Sequence, residues 1–330
     1  MSGLATLDLA LLERLIELTL ASLVLLAGAS VGSFLNVVAH RLPQNLSVVR
    51  PRSRCPSCEK SIAWYDNIPV LSFLVLGGRC RHCKARISFQ YPLIEALCGV
   101  LALAQWWLLG PSAQFFVQVT VIGLLVALAL IDGAHFLLPE SLTVPLIAVA
   151  LIGRLMVALV DQQAGMAAAL SHALDGVLGA ALGAGLLAII AWTGTRIARR
   201  TGRIDEDQDA MGWGDVMLIA GIGAHLGSPA VLVVLFLASV QGAVIGAVLL
   251  TSRRGATTSG PSSDEARQDE SGADEATLAS PEPGDDEDDW QPPAHAIPFG
   301  PYLALGAIEW MVLERTLSAQ YERILSWLIP

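Results

Sequence analysis

Long apolar stretches recur along the chain, at residues 18–38, 92–109, 115–131, 142–160, 173–193, 215–227, 230–250 and 298–313. Most approach the ~20 residues that a helix needs to cross a hydrocarbon core of about 30 Å. Backbone polar groups in lipid must be satisfied within their own segment, which favours helices for such runs. The pattern predicts an all-α polytopic membrane protein with about eight transmembrane helices. The first run does not read as a cleaved signal peptide. Asp8, Glu13 and Glu17 stand at its start against Arg14 alone, and its apolar length exceeds an ordinary h-region.

The sixth run is short. From Asp215 to Leu226 it offers about 18 Å of helix, at roughly 1.5 Å per residue. The segment Gly212-Trp213-Gly214-Asp215 therefore has to dip below the membrane surface. Irregular backbone at that depth is tolerated only where protein buries it or water lines it, which predicts a small polar cavity open to the cytoplasm. Gly28/Gly32, Gly179/Gly183 and Gly242/Gly246 are small-xxx-small pairs that let helix backbones approach closely.

Charge orients the chain. Segment 39–91 holds nine Lys/Arg and segment 194–214 holds Arg196, Arg199, Arg200 and Arg203, whereas 110–114, 161–172 and 228–229 hold none. The positive-inside rule then puts the N-terminus outside and the basic segments in the cytoplasm. The expected organisation is an N-terminal segment with the first span (1–40), a cytoplasmic four-cysteine domain (41–91), a transmembrane core with spans two to seven (92–251), an acidic cytoplasmic loop (252–297) and the last span with the C-terminus (298–330).

Composition narrows the class further. Hydrophobic residues make up 54% and charged residues 15%, more apolar surface than one soluble core can hide. The net charge of -10 belongs largely to one insert, since 12 Asp/Glu and 3 Arg lie between Arg253 and Ile297. Runs such as Asp285-Asp286-Glu287-Asp288-Asp289 cannot bury enough apolar area to offset ordering entropy, so this loop is expected to be disordered. No basic tract with interleaved aromatics points to nucleic acid.

Two constellations carry chemistry. Cys55-Pro-Ser-Cys58 and Cys80-Arg-His-Cys83 are short knuckles that together can close a tetrahedral site on Zn²⁺. Four sulfur ligands leave no open position, so such a metal is structural. Reduced thiols or a redox pair are the other reading, and His82 is an alternative ligand. Cys98, alone in an apolar run, reads as a small core residue.

Asp132 ends the third span and Asp215 begins the sixth, both at cytoplasmic helix ends. Taken singly, one reads as an interfacial end residue and the other as a helix cap. Taken together, they form a carboxylate pair in which one member keeps its proton. The ionised member can draw a proton from water while the protonated member polarises a peptide carbonyl, which is aspartic-type hydrolysis. Asn36, His40, Glu95, Arg154 and Asp175 read as interhelical partners, and His135 stands close enough to Asp132 in sequence to shape its site. There is no Gly-x-Ser-x-Gly elbow and no His-Glu-x-x-His motif. A proton- or cation-coupled transporter would also embed carboxylates, but it gives no reason for the cysteine domain. A scaffold docking partners through the acidic loop is a third reading.

At these residues the sequence resembles the type IV prepilin peptidases, bifunctional leader peptidases and N-methyltransferases. The resemblance runs through Gly32-Ser33-Phe34-Leu35-Asn36-Val37-Val38, Arg41-Leu42-Pro43 and the two knuckles. It continues through Trp64 to Ser72, Tyr91-Pro92-Leu93-Ile94-Glu95, Asp132 with Leu138-Pro139, Gly212 to Val216, and Pro298-Phe299-Gly300-Pro301-Tyr302. It implies a multi-pass inner-membrane enzyme with Asp132 and Asp215 catalytic, the latter supported by Gly212 and Gly214 of a Gly-x-Gly-Asp motif. Prepilins and pseudopilins of type IV pilus or type II secretion systems are the implied substrates, cut after a glycine that ends a basic leader. The new N-terminus is then methylated with S-adenosylmethionine, an activity associated with the cytoplasmic domain; a peptidase lacking that second activity is the alternative. Met217 stands where the family often has Lys, and Glu140 where Asp or Asn is commoner.

Overall fold

The computed structural model describes residues 2–160, 165–202, 205, 209, 211–256 and 298–328, with side chains described outside 2–8, 250–256 and 315–328. The acidic loop expected at 252–297 lies, from residue 257 onward, outside the described residues. Two compact units are present, Met1–Ser239 with Pro298–Pro330, and Val240–Ile297. Within the second unit, the described residues are the end of one helix, and the pair Gly242/Gly246 lies there.

Regular structure among the described residues is helical: α1 (Ser2–Arg41), α2 (Leu71–Val75), α3 (Gln90–Leu109), α4 (Ala113–His135), α5 (Glu140–Val160), α6 (Gly165–Arg200), α7 (Trp213–Leu226), α8 (Ser228–Ala256) and α9 (Gly300–Leu328). Six of them are long and apolar enough to cross a membrane, namely Leu9–Arg41 within α1, Ser228–Leu249 within α8, and α3, α4, α5 and α6. All eight apolar runs fall on helices. Three helices, α1, α6 and α9, run well beyond their predicted spans. Hydropathy marks where lipid would lie, whereas a helix continues until its hydrogen-bond ladder is broken. Residues 4–26 contain no Gly or Pro to break it.

The centre of the first unit is α7, whose Val216 and Leu218 to Ala224 are all buried. It packs against α5, α6 and α9, while α4 packs against α1, α3, α5 and α9. Leu125, Leu128, Leu218, Ile219, Ile222, Val231, Val234 and Leu303 fill the common core. Glycines set the closest approach. A Cβ on Gly179 of α6 would collide with the Gly223 carbonyl of α7, and one on Gly183 would stand 2.9 Å from the Ile219 carbonyl oxygen. The small-residue pair in α6 is thus a backbone-to-backbone seam. Gly28 and Gly32 serve α1 in the same way, against Cys98 and Ile94 of α3.

Arg154 and Asp175, the charges embedded in α5 and α6, find each other at 2.8 Å. Arg154 also donates to the carbonyl oxygens of His172 (3.0 Å) and His225 (2.8 Å), the latter an orphan acceptor at the end of α7. The Asp175 carboxylate accepts from the backbone N–H (3.2 Å) and hydroxyl (2.7 Å) of Ser228 at the start of α8. One ion pair therefore joins four helices at the end of α7 opposite Asp215. Arg154→Met is expected to cost on the order of 2–3 kcal/mol, since it strands charge-assisted acceptors. Thermal unfolding in detergent should fall accordingly, and an unchanged transition would refute the clasp.

Candidate active site and cysteine cluster

Asp132 lies in the last turn of α4 and is buried, 6% exposed. Phe136 follows in the left-handed region (φ 54°) and its N–H returns to the Asp132 carbonyl at 2.9 Å, ending the helix there. The Asp132 carboxylate faces the start of α9, where Oδ2 accepts the Gly300 N–H at 3.0 Å. A Cβ on Gly300 would stand 2.6 Å from that same oxygen. Only a glycine leaves the carboxylate room to meet the helix terminus, where the backbone N–H and the macrodipole both favour negative charge. Gly300, within the run Pro298 to Tyr302, is a part of the site that no sequence pattern singles out.

Asp215 lies in the first turn of α7, after Gly212 in extended conformation. Its Oδ1 is buried and has no hydrogen-bond partner among the described residues. Leu138, in the turn between α4 and α5, packs between the starts of α7 and α9. A Cβ on Gly214 would be 2.6 Å from the Leu138 Cβ, and one on Gly300 would be 3.4 Å from its Cδ1. Asp132 meets Gly300, a Cβ on Gly300 would touch Leu138, and Leu138 lies against Gly214, the residue before Asp215, so both aspartates flank one side chain. The structure thus brings together the two aspartates, Gly214, Leu138 and Gly300. His135 is exposed.

The four cysteines also converge, with every sulfur within 4.8 Å of the others. Each knuckle is built the same way. Glu59 N–H donates to the Cys55 carbonyl (2.8 Å) and Lys84 N–H to that of Cys80 (3.0 Å), each from a left-handed residue (φ 55° and 61°). Short bridges Arg54↔Ser61 and Arg79↔Arg86 close the two loops. Cys55 Sγ and Cys83 Sγ are 3.7 Å apart, close to the edge of a tetrahedron with metal–sulfur bonds of about 2.3 Å. Backbone N–H groups of Cys58 and Ser57 lower the Cys55 thiol to about 6. At Cys83 the Ala85 N–H pulls down, but desolvation and three neighbouring sulfurs push the thiol up to about 11. Four close thiols cannot all ionise alone, and a bound dication would let them. His82 is exposed and outside the sulfur cluster, and Cys98 is a buried core residue of α3.

Between α1, the start of α3 and the cysteine segment lies a cavity of about 740 Å³, lined by Asn36, His40, Arg54, Arg86, Tyr91 and Glu95 among others. Neither aspartate lines it. Asn36 donates to the Tyr91 carbonyl at 3.4 Å. Glu95, 8% exposed, accepts the Val70 N–H at 2.7 Å.

Comparison with known proteins follows this division. Residues 26–109 match the bacterial peptidase A24 N-terminal domain, and residues 119–247 match the type IV leader peptidase family. The first match holds the cysteines and the cavity-lining helices, the second both aspartates. Among curated relatives, a protein of Myxococcus xanthus (strain DK1622) named prepilin leader peptidase/N-methyltransferase is 36% identical over 328 residues, covering 88% of this chain and 89% of the relative. Proteins with the same name from Stutzerimonas stutzeri (32%, covering 88% of each chain) and Klebsiella pneumoniae (36%, covering 66% of this chain and 90% of the relative) are also similar. No solved structure matches. By two family matches and by relatives aligned over most of its length, the chain belongs to the type IV leader peptidase family.

Proposed function

We propose that this chain is a membrane-embedded aspartic endopeptidase that removes the basic leader of type IV prepilins and pseudopilins after a glycine, and then N-methylates the new terminus with S-adenosylmethionine. The observation that carries the first half is that Leu138 packs against both Gly214, next to Asp215, and Gly300, the hydrogen-bond partner of Asp132. One carboxylate takes a proton from water, and the resulting hydroxide attacks the scissile carbonyl carbon. The other gives its proton to the carbonyl oxygen. The tetrahedral adduct then breaks its C–N bond as a proton passes to the leaving amine. The pair titrates as a unit, so neither member holds a fixed role. Gly214 supports Asp215 by letting the chain pass close to Leu138, and Gly212 stands in extended conformation just before α7 begins.

Eight spans are proposed, with α7 and α9 added to the six long helices. The N-terminus is outside the inner membrane, and the boundaries are those at 40/41, 91/92, 251/252 and 297/298. On this reading α7, 14 residues and about 21 Å long, starts below the cytoplasmic surface and keeps Asp215 at depth. Cys55, Cys58, Cys80 and Cys83 hold one structural Zn²⁺, which fits the all-sulfur donor set and leaves no position for substrate. Metal analysis of the purified protein should return about one zinc per chain. Replacing Cys55 and Cys58 by Ser should abolish it, and a metal-free wild type would remove the assignment.

The deciding experiment incubates the detergent-purified protein with a prepilin and S-adenosylmethionine, reading leader release and the gain of one methyl group separately. Both should occur. An intact leader refutes the peptidase, and an unmodified mature terminus refutes the transferase.

A further inference from the structure

The aspartates leave three stretches of the chain unexplained: Gly32 to Pro43, Trp64 to Ser72, and Tyr91 to Glu95. All three meet at the 740 Å³ cavity, a volume suited to a small-molecule ligand. Asn36 of α1 reaches the Tyr91 carbonyl, and Glu95 of α3 reaches the Val70 N–H. Val70 is a β-branched residue at φ 60°, a costly conformation that persists only when its surroundings hold it. Glu95 is more than nine-tenths buried, yet among the described residues it forms no ion pair with Lys, Arg or His. One carboxylate oxygen is committed to Val70, and the side chain lines the cavity. A buried carboxylate of this kind is built to receive a cation.

We infer that Glu95 binds the free N-terminal ammonium of the cleaved substrate in this cavity and takes the proton that the amine must lose before methyl transfer. The inference rests on the transferase half of the proposed function. It also fits the methyl donor, since the lining offers Arg54 and Arg86 to a carboxylate beside the acidic Glu95. Bound S-adenosylmethionine supplies a methyl group on a sulfonium centre. Glu95 accepts one proton from the ammonium. The freed nitrogen lone pair then forms the N–C bond as the S–C bond breaks, and that bonding pair stays on sulfur. The Val70 N–H fixes the carboxylate's orientation while its second oxygen faces the amine.

The test is Glu95→Gln in the full-length, detergent-purified protein, with Glu95→Asp beside it. Leader cleavage by E95Q should stay within about twofold of wild type, while methylation of a peptide bearing the mature free N-terminus falls about 10²-fold or more. Binding of S-adenosylhomocysteine should be unchanged. The wild type should bind the free-amine peptide more tightly than its N-acetylated form, and E95Q should lose that preference. Raising the pH should narrow the E95Q defect, because the amine then arrives already neutral, and E95D should restore part of the rate. A purely structural role would produce neither the lost amine preference nor the pH relief. Methylation by E95Q close to wild type, or a defect that high pH leaves untouched, would overturn the inference. A wild type that neither methylates the peptide nor binds S-adenosylhomocysteine would instead sink the transferase reading on which it stands.

Discussion

Asp132→Asn and Asp215→Asn should each reduce leader release by about 10³-fold or more, and each protein should still fold. The size follows from general acid–base catalysis, worth roughly 10²–10⁴-fold, and from the pair acting as a unit in which either loss stops the proton exchange. Retention of the fold follows from geometry. An Asn at 132 keeps a side-chain oxygen for the Gly300 N–H, which now lies 3.0 Å from the carboxylate. Asp215 Oδ1 has no partner among the described residues, so an amide there breaks no hydrogen bond at that atom. The measurement is the initial rate of leader release at saturating prepilin, with thermal unfolding as the control for folding. Methylation of a pre-cleaved peptide should survive in both variants, because neither aspartate lines the cavity. Either variant processing prepilin at about the wild-type rate would remove the catalytic pair.

Gly300→Ala should be nearly as damaging although it changes no ionisable group. The added Cβ would stand 2.6 Å from Asp132 Oδ2 and 3.2 Å from Cγ. The carboxylate must swing away or α9 must retreat, and either movement breaks the Gly300 hydrogen bond. Displacing a catalytic group by about 1 Å can cost about 10²-fold, and a loss of that order is expected here. Gly133→Ala is the matched control. Its Cβ would lie 3.9 Å from Pro301 Cγ, an ordinary van der Waals contact, and Ala is the better helix former. Equal activities of the two variants would show that the space beside Asp132 is not a constraint.

Legibility in the sequence tracked the range of the interaction. The cysteine knuckles could be read from local spacing, because two residues between thiols already shape the turn, and the repeat of that spacing suggested a shared centre. Asp132 and Asp215 stood out because two carboxylates fall at helix ends on one membrane face with glycines beside them, and α7 because its run was too short. Arg154 and Asp175 announced themselves as charges that needed partners, but hydropathy does not say which partner, and still less that Ser228 would complete the clasp. Gly300 was hidden more deeply. Its hydrogen bond to Asp132 joins residues 168 apart in sequence, and a glycine's role there is an absence of atoms, which no periodicity records. Glu95 was read as an interhelical partner. It instead reaches out of its helix to Val70, because the connection between α1 and α3 folds back over it.

The Arg154 clasp has a mechanical meaning. It fastens α5, α6, α7 and α8 together at one extremity, while Asp215 stands roughly 15 Å away along α7, at its other extremity. A rivet at that end keeps α7 from sliding along its neighbours, so the depth at which Asp215 stands is set from the far end of its own helix.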